Sequence, residues 1–534
     1  MTSSVSDKHT GEPSRARLHA VLVASGIMLS RIAGIIRVTV FAYYFGVRSD
    51  AADAFNAAFK IPNFLQNLFG EGVLSASFIP VYANLIARGE KEESERVAGA
   101  IAALLMLVTS ILVLAGVLLT PWLIDAITPG FEGSKRELCI ILVRILFPGA
   151  GLLVWSAWCL GILNSHNKFF LSYTAPVAWN LVIIFTLILF GTTSTENDLA
   201  RWVAWGSVVG SGVQIIIQLP MVLYLLKRLR LSFQYRAVHV RTVIRNFVPV
   251  FISRGVIQIS AYVDQILASF LPTGAVAAFT YAQILYTFPI SLFGMSVSAA
   301  ELPTMSKAIG SDAEVAEHLR NRLNSGLRQI AFFIVPSAMA FLALGDIVTA
   351  AIYQRGKFTG SDTLYAWAIL AGSAVGLLAS TLGRLYSATF YALRDTRTPL
   401  RYAVIRVALA AAFGYLLSQH GPTMIGIDRR WGVAGITIAS GFCGWIEFAL
   451  LRISLNRRIG KTGLDASFIA KLWTAAGVSA AVAWAVKLFA GHHHPVLQAV
   501  LVLGPYGIVY FAMTFIMKLP PARFLGRFLP FVRK

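Results

Sequence analysis

The chain has 534 residues, 57% of them hydrophobic and only 13% charged, with a mean hydropathy of +0.68 and a formal net charge of +21. A soluble domain carries about a quarter charged residues, so this balance excludes a water-soluble globular enzyme and makes lipid the solvent. The basic residues are dispersed between apolar runs and form no continuous patch, which excludes a nucleic-acid footprint and leaves membrane topology as their explanation.

Apolar runs of about 20 residues, each long enough to cross a hydrocarbon core as a helix, recur from Leu18 to Met517. Only helices or closed barrels satisfy their backbone in lipid, and these runs are too long and too continuous for barrel strands. The sequence therefore predicts an all-α integral membrane protein with about 14 transmembrane helices. The spans fall at 18–45, 53–86, 97–127, 138–163, 174–191, 201–226, 243–271, 275–306, 327–353, 363–391, 400–419, 431–455, 468–490 and 496–517. Lys8, Arg15 and Arg17 precede the first run as in a signal peptide, but the run continues through Arg31 to Phe45 without a small-residue cleavage pattern and reads as a retained helix. Cys139, Cys159 and Cys443 lie inside apolar runs and read as buried thiols, not as a disulfide framework or metal cluster. The stretch Ser311 to Arg328 mixes charges with apolar residues and reads as a cytoplasmic amphipathic helix. Lys and Arg favour the side of the N-terminus, so the positive-inside rule puts both termini in the cytoplasm.

The most basic connection, with Lys227, Arg228, Arg230, Arg236, Arg241 and Arg245, follows the sixth span. Laying Ala54–Gly70 over Ala278–Gly294 without a gap brings Ala54, Phe55, Ala58, Phe64, Leu68, Phe69 and Gly70 onto identical residues. Upstream, Ser30-Arg31 and Ser253-Arg254 recur at nearly the same offset. This predicts two pseudo-symmetric six-helix lobes, 18–230 and 231–460, after a cytoplasmic tail at 1–17 and before two further helices at 461–518 and a basic cytoplasmic tail at 519–534. Both copies enter the membrane in the same direction, so the symmetry axis runs along the membrane normal and a substrate belongs between the lobes.

A charge at the centre of a span costs about 2.5 to 3.5 kcal/mol on insertion scales and needs a wet cavity, a partner or an escape to the interface. Arg31 and Arg37 lie well inside the first span. The second carries Asp53, Asn56, Lys60, Asn63, Asn67 and Glu71, which at about 100° per residue share one face. That face lines a cavity or forms structural ion pairs. The seventh span adds Arg254, Gln258 and Asp264. Guanidinium groups match phosphate oxygens, so Arg31, Arg37, Lys60 and Arg254 are candidate contacts for a phosphorylated or pyrophosphate-bearing substrate. Asp53 and Glu71 either pair with these cations or titrate during a cycle, and Asp264 is a secondary candidate. Arg144, Arg384, Arg406 and Glu447 also sit within spans and read as snorkelling or locally paired. No nucleotide-binding, zinc or triad motif appears. The protein is thus expected to be a transporter and not an enzyme, with no cofactor and with Na+, H+ or the membrane potential as driving force.

The segment SRIAGIIRVTVFAYYFG from Ser30, then DAFNAAFKIPNFLQNLFGEGVLSASFIPVY to Tyr82, resembles the MurJ/MviN lipid II flippases of the multidrug/oligosaccharidyl-lipid/polysaccharide exporter superfamily. LGILNSHNKFF from Leu160, QIIIQLP from Gln214, LPTMSKA from Leu302, RGKFT from Arg355 and FYALRDTRTP from Phe390 extend the likeness over nearly the whole chain. The resemblance implies two six-helix lobes and a polyprenyl-tail groove in the last two helices. It implies transfer of undecaprenyl-pyrophosphate-linked peptidoglycan precursor to the outer leaflet of the bacterial inner membrane by alternating access. The family's functional positions fall on Arg31, Arg37, Asp53, Lys60 and Glu71, while Arg394 and Arg397 belong to a cytoplasmic-end motif that orders a gate. Departures are Val38, where many members carry an acidic residue, Gln66 and Asn67, where some carry an arginine pair, and Gln283 and Ile284, where some carry Asp-Arg. Arg254 is the candidate in place of the last pair. The expected partners are lipid II, membrane lipids and other cell-wall synthesis proteins. The alternatives are an exporter of another lipid-linked oligosaccharide or of amphipathic drugs, and a non-transporting scaffold for envelope assembly.

Overall fold

A computed structural model describes residues 12–69, 71–306, 310–489, 491 and 493–521, with side chains over the same residues except 12–24, 27, 71, 72, 250 and 252–261. The described residues form helices and connecting turns, with no strand among them. They fall into two compact units, Met1–Phe45 with Ser49–Tyr262, and Gly46–Arg48 with Val263–Lys534.

In the first unit α1 (Glu12–Phe45) precedes a second span carried by α2 (Asp50–Phe69), α3 (Glu71–Ser77) and α4 (Ile79–Ala87). Then follow α5 (Lys91–Leu118), the short α6 (Thr120–Ile127), α7 (Gly133–Ser165), α8 (Phe169–Phe190), α9 (Glu196–Leu226) and most of α10 (Val238–Ser269). α7 lies at the centre, packed against α2, α5 and α9, and its apolar residues are buried along most of its length. Trp158 of α7 forms a core with Leu74, Phe78, Tyr82, Val97 and Val222 that Val240, Val243, Phe247 and Phe251 of α10 join. That shared core is why the units divide inside α10, between Tyr262 and Val263, whereas the charge pattern put the boundary at 230.

The second unit contains α11 (Ala275–Pro289), a π-helical turn at Ile290–Met295, α12 (Ser296–Ser306), α13 (Asp312–Ala343), α14 (Gly345–Tyr353), α15 (Gly360–Ala374) and α16 (Leu377–Ala392). It continues through α17 (Arg397–Gln419), the one-turn α18 (Gly421–Met424), α19 (Gly432–Ile459), α20 (Ala466–Phe489) and α21 (Pro495–Ile516). In the second of the two repeated segments α11 passes after Pro289 into the π turn that holds Leu292, Phe293 and Gly294. Proline removes a backbone donor, and a π turn is one way to re-pair the freed carbonyls. Ser311 and Glu314 form a capping box, from which α13 runs unbroken for 32 residues. The expected amphipathic helix at 311–328 is therefore the first half of a spanning helix, not a separate element.

Among the described residues 12 helices are long and apolar enough to cross a membrane, and α15 with α16, bent by 42°, makes a thirteenth. The remaining expected span coincides with α10. At the bend Gly376 lies backbone to backbone against Gly441 of α19, a contact that any side chain would block. Gly46, at φ +63°, is held in the second unit by the Tyr281 hydroxyl, which donates to its carbonyl at 3.0 Å, and a Cβ on it would meet the Lys357 carbonyl oxygen at 2.7 Å. The RGKFT motif thus forms a seat for that turn, where Arg48 also pairs with Asp362 at 3.3 Å.

α20 and α21 are fastened to α13 by a proline. Pro336 has no N–H, so the Phe332 carbonyl loses its partner within the helix. The Tyr510 hydroxyl donates to that carbonyl at 2.6 Å, and one turn earlier Tyr506 donates to the Pro336 carbonyl at 2.6 Å. Trp484 donates to the Ala343 carbonyl at 2.9 Å, and Lys487 pairs with Asp346 at 2.5 Å. The three cysteines are free and buried.

Candidate functional site

Arg31 and Arg37 are six residues apart, about 9 Å along the axis and about 120° apart around it, so they present to different surroundings. Arg37 turns toward α2 and α8. Its guanidinium carbon lies 4.8 Å from the Phe59 ring centre and 5.3 Å from that of Trp179, and the two rings stack 5.7 Å apart. Each such contact contributes about 0.5 to 2 kcal/mol, more when dry. The rings fix the plane of the guanidinium without occupying its donors, and Nε has no hydrogen-bond partner among the described residues. Arg31 is exposed and makes no ion pair or hydrogen bond among the described residues. A cavity of about 10 Å³ beside the aromatic pair, lined by Phe59, Asn63, Trp179 and Ser207, holds at most about one water and is no substrate chamber.

The polar face of α2 is graded. Asp53 is 1% exposed and bonds the Lys135 ammonium of α7 at 2.6 Å; Lys135 also reaches Asp50 at 3.5 Å and sits 4.4 Å from the Phe131 ring centre. Asn56 donates to the Ala52 carbonyl, Lys60 and Asn63 are half-buried, and Asn67 is exposed. The Tyr262 hydroxyl donates to the Lys60 carbonyl at 2.9 Å, tying α10 to α2. The contacting cation that the structure gives Asp53 is Lys135, which the sequence reading did not name. Burial in a dry site favours a carboxylate with a cation in contact, and Lys135 supplies it from the first turn of α7. The side chains of Glu71 and Arg254 lie outside the described residues.

Asp264 accepts a hydrogen bond from Ser440 of α19 at 2.9 Å. Arg394, at φ +59°, and Arg397 are both exposed, and their side chains make no ion pair among the described residues. Their loop is ordered by Asp395. Its carboxylate accepts the amide N–H groups of Arg397 and Thr398 at 3.0 Å each and the Thr398 hydroxyl at 2.7 Å, and Arg458 pairs with it at 2.7 Å. The Thr398 bonds and the Arg458 charge hold this carboxyl down at about 2. Of the charges read as locally paired, Arg406 and Glu447 do pair, at 2.8 Å between α17 and α19. Sequence reasoning passed over Lys135, which looks like an interfacial charge at a span end, and Trp179, one aromatic among many.

The sequence model of the family described as "Lipid II flippase MurJ" matches residues 41–503. A probable lipid II flippase MurJ of Rhizobium tropici is 32% identical over 448 residues, covering 82% of this chain and 80% of that protein. The lipid II flippase MurJ of Burkholderia cenocepacia is 29% identical over 450 residues, with 82% and 84% covered. Among solved structures, a lipid II flippase MurJ in an inward closed conformation superimposes with a TM-score of 0.74 at 24% identity, over 93% of this chain and 98% of that one. An inward-facing multidrug resistance transporter of the MATE family gives a TM-score of 0.65 at 17% identity, over 82% and 98%; these likenesses establish a shared fold.

Proposed function

We propose that this chain, which belongs to the lipid II flippase MurJ family, carries lipid II from the inner to the outer leaflet of the bacterial cytoplasmic membrane by alternating access. The observation that carries the reading is the pair of guanidinium groups inside the first span. Arg31 is exposed and unpaired among the described residues, and Arg37 is oriented by Phe59 and Trp179 with its Nε buried and without a hydrogen-bond partner among them. A permanent planar cation at mid-span costs free energy unless something anionic meets it, and a diphosphate accepts such a fork in a bidentate manner. In this reading Arg31, Arg37 and Lys60 contact the diphosphate, with Glu71 and Arg254 beside them, while Asp53 acts at one remove by holding α2 on α7. Asp264 and the Asp395 loop with Arg394 and Arg397 serve conformational change. The undecaprenyl tail lies along α20 and α21. Both termini are cytoplasmic, and Na+, H+ or the membrane potential supplies the energy. A drug-exporter reading has only the shared fold behind it.

The test is a leaflet assay with labelled lipid II in vesicles containing the purified chain, with the potential and each ion gradient collapsed in turn. R31Q and R37Q should each abolish most of the flipping while preserving thermal unfolding. Wild-type protein that leaves the lipid in its original leaflet under every gradient refutes the transport claim, and flipping untouched by both substitutions refutes the site.

A further inference from the structure

α16 is buried almost all round, with Leu378, Leu382, Leu385, Thr389 and Phe390 inside the second unit. Short of Ala392 at its last position, the residues it leaves partly or fully open are Ser380, Arg384, Ser387 and Tyr391, spaced as one stripe along a helix, and these four are polar. An open stripe facing acyl chains would be apolar, so this one borders water. Facing it, α11 and the turn after it carry a second polar stripe, Thr280, Gln283, Thr287 and Ser291, beside an apolar one with Phe288, Leu292 and Met295. Tyr286 of α11 meets Ser380 of the first stripe at 3.1 Å, and Gln283 of the second donates to Ser373 of α15 at 3.4 Å.

Hydrogen-bond bookkeeping on these stripes selects the ligand. Thr280, Thr287 and Ser291 each donate to the carbonyl one turn back, at 2.9, 2.7 and 2.6 Å. Ser380 donates to the Leu377 carbonyl at 3.1 Å, which leaves Tyr286 as the donor in its contact with Ser380. These four protons are occupied, so their lone pairs and the Gln283 carbonyl remain as acceptors beside the Ser387 and Tyr391 hydroxyls. The one charged donor on either stripe is Arg384, exposed at the middle of α16. Glu447, the nearby carboxylate, is already held by Arg406 at 2.8 Å, and Arg384 makes no ion pair or hydrogen bond among the described residues. A diphosphate brings only acceptors, and four of the seven neutral side chains on the stripes have already spent their hydroxyl proton. A sugar and peptide bring hydroxyl and amide donors, and a peptide also brings carboxylates.

We infer that the polar stripes of α11 and α16 in the second unit bind the sugar–peptide portion of the translocated head group, with Arg384 taking a peptide carboxylate. The inference rests on the proposed flipping of lipid II and assigns Arg384 a role separate from the diphosphate cations of the first unit. The test uses full-length protein in vesicles with two labelled substrates, lipid II with free peptide carboxylates and the same lipid with those carboxylates amidated. Loss of a charge-assisted hydrogen bond predicts that R384Q slows flipping of the free-carboxylate lipid at subsaturating concentration by about tenfold or more, leaves the amidated lipid within about twofold, and that R384K falls between. Equal slowing of both lipids, or of neither, overturns the assignment. Should R384Q not fold, wild-type protein decides: it should flip the free-carboxylate lipid faster than the amidated one, and equal rates overturn the assignment. Wild-type protein that flips neither lipid refutes the proposed function itself.

Discussion

The ion pair between Asp53 and Lys135 separates two roles that an acidic residue in the second span could have, and substituting both members tests which one it has. At 2.6 Å the attraction at an effective dielectric constant of about 20 is about 6 kcal/mol, most of it offset by the desolvation of two ions. Removing one member strands the other, which typically costs about 3 to 5 kcal/mol. K135M leaves a carboxylate 1% exposed and belongs in that range. D53N leaves Lys135 with Asp50, 3.5 Å away and about half exposed, so its cost should be lower, about 2 to 3 kcal/mol. D53N/K135M strands nothing and should lose about 1 kcal/mol. Denaturant or thermal unfolding of the four proteins in one detergent measures the cycle. Losses in the double variant equal to the sum of the single losses within about 0.5 kcal/mol would mean the two residues act independently, and the assignment would fail. The leaflet assay adds a second reading: flipping should recover in the double variant together with stability. Stability that returns without flipping would place Asp53 back on the substrate.

Y510F strands the Phe332 carbonyl and should cost about 1 to 1.5 kcal/mol of unfolding free energy; P336A, which returns an N–H to that carbonyl, should shrink the loss, and an undiminished loss in the P336A background would refute the proline-linked account of α21. Asp395 carries a folded-state pKa of about 2 against an ordinary 3.8, so its contribution to stability is complete above about pH 4 and disappears as pH falls toward 2. D395N should therefore flatten the curve of unfolding midpoint against pH in that window, and curves that stay parallel to wild type would count against the loop geometry. W179A should reduce flipping more than W179F, since a phenyl ring still faces the Arg37 guanidinium; equal losses would remove the aromatic clamp from the mechanism.

The membrane spans were legible because lipid makes backbone satisfaction and hydrocarbon thickness strict rules: the expected 138–163 became Gly133–Ser165, and 400–419 became Arg397–Gln419. The internal repeat was legible because Ala54–Gly70 and Ala278–Gly294 share seven identical residues without a gap. Arg31 and Arg37 stood out because charge is rare in a span. The partners of those charges were not legible. Lys135 lies 82 residues from Asp53 and looks like any charge at a helix end, and helical periodicity that grouped Asp53 with Lys60 carries no information about which neighbour covers each level of the stripe. The gate motif was read through its arginines, whereas Asp395 is the residue that collects the loop's amide groups.

By itself the sequence determined the solvent, the all-helical class, the near-complete set of spans and the family, because each follows from local composition or from linear order. Only the tertiary structure decided that Asp53 is dry while Asn67 is open, that Trp179 and Phe59 aim Arg37, that Tyr510 answers Pro336, and that the open stripe of α16 is polar. Those outcomes depend on which helix lies against which, and a side chain's electrostatic and hydrogen-bonding state is set by neighbours that can be anywhere in the chain.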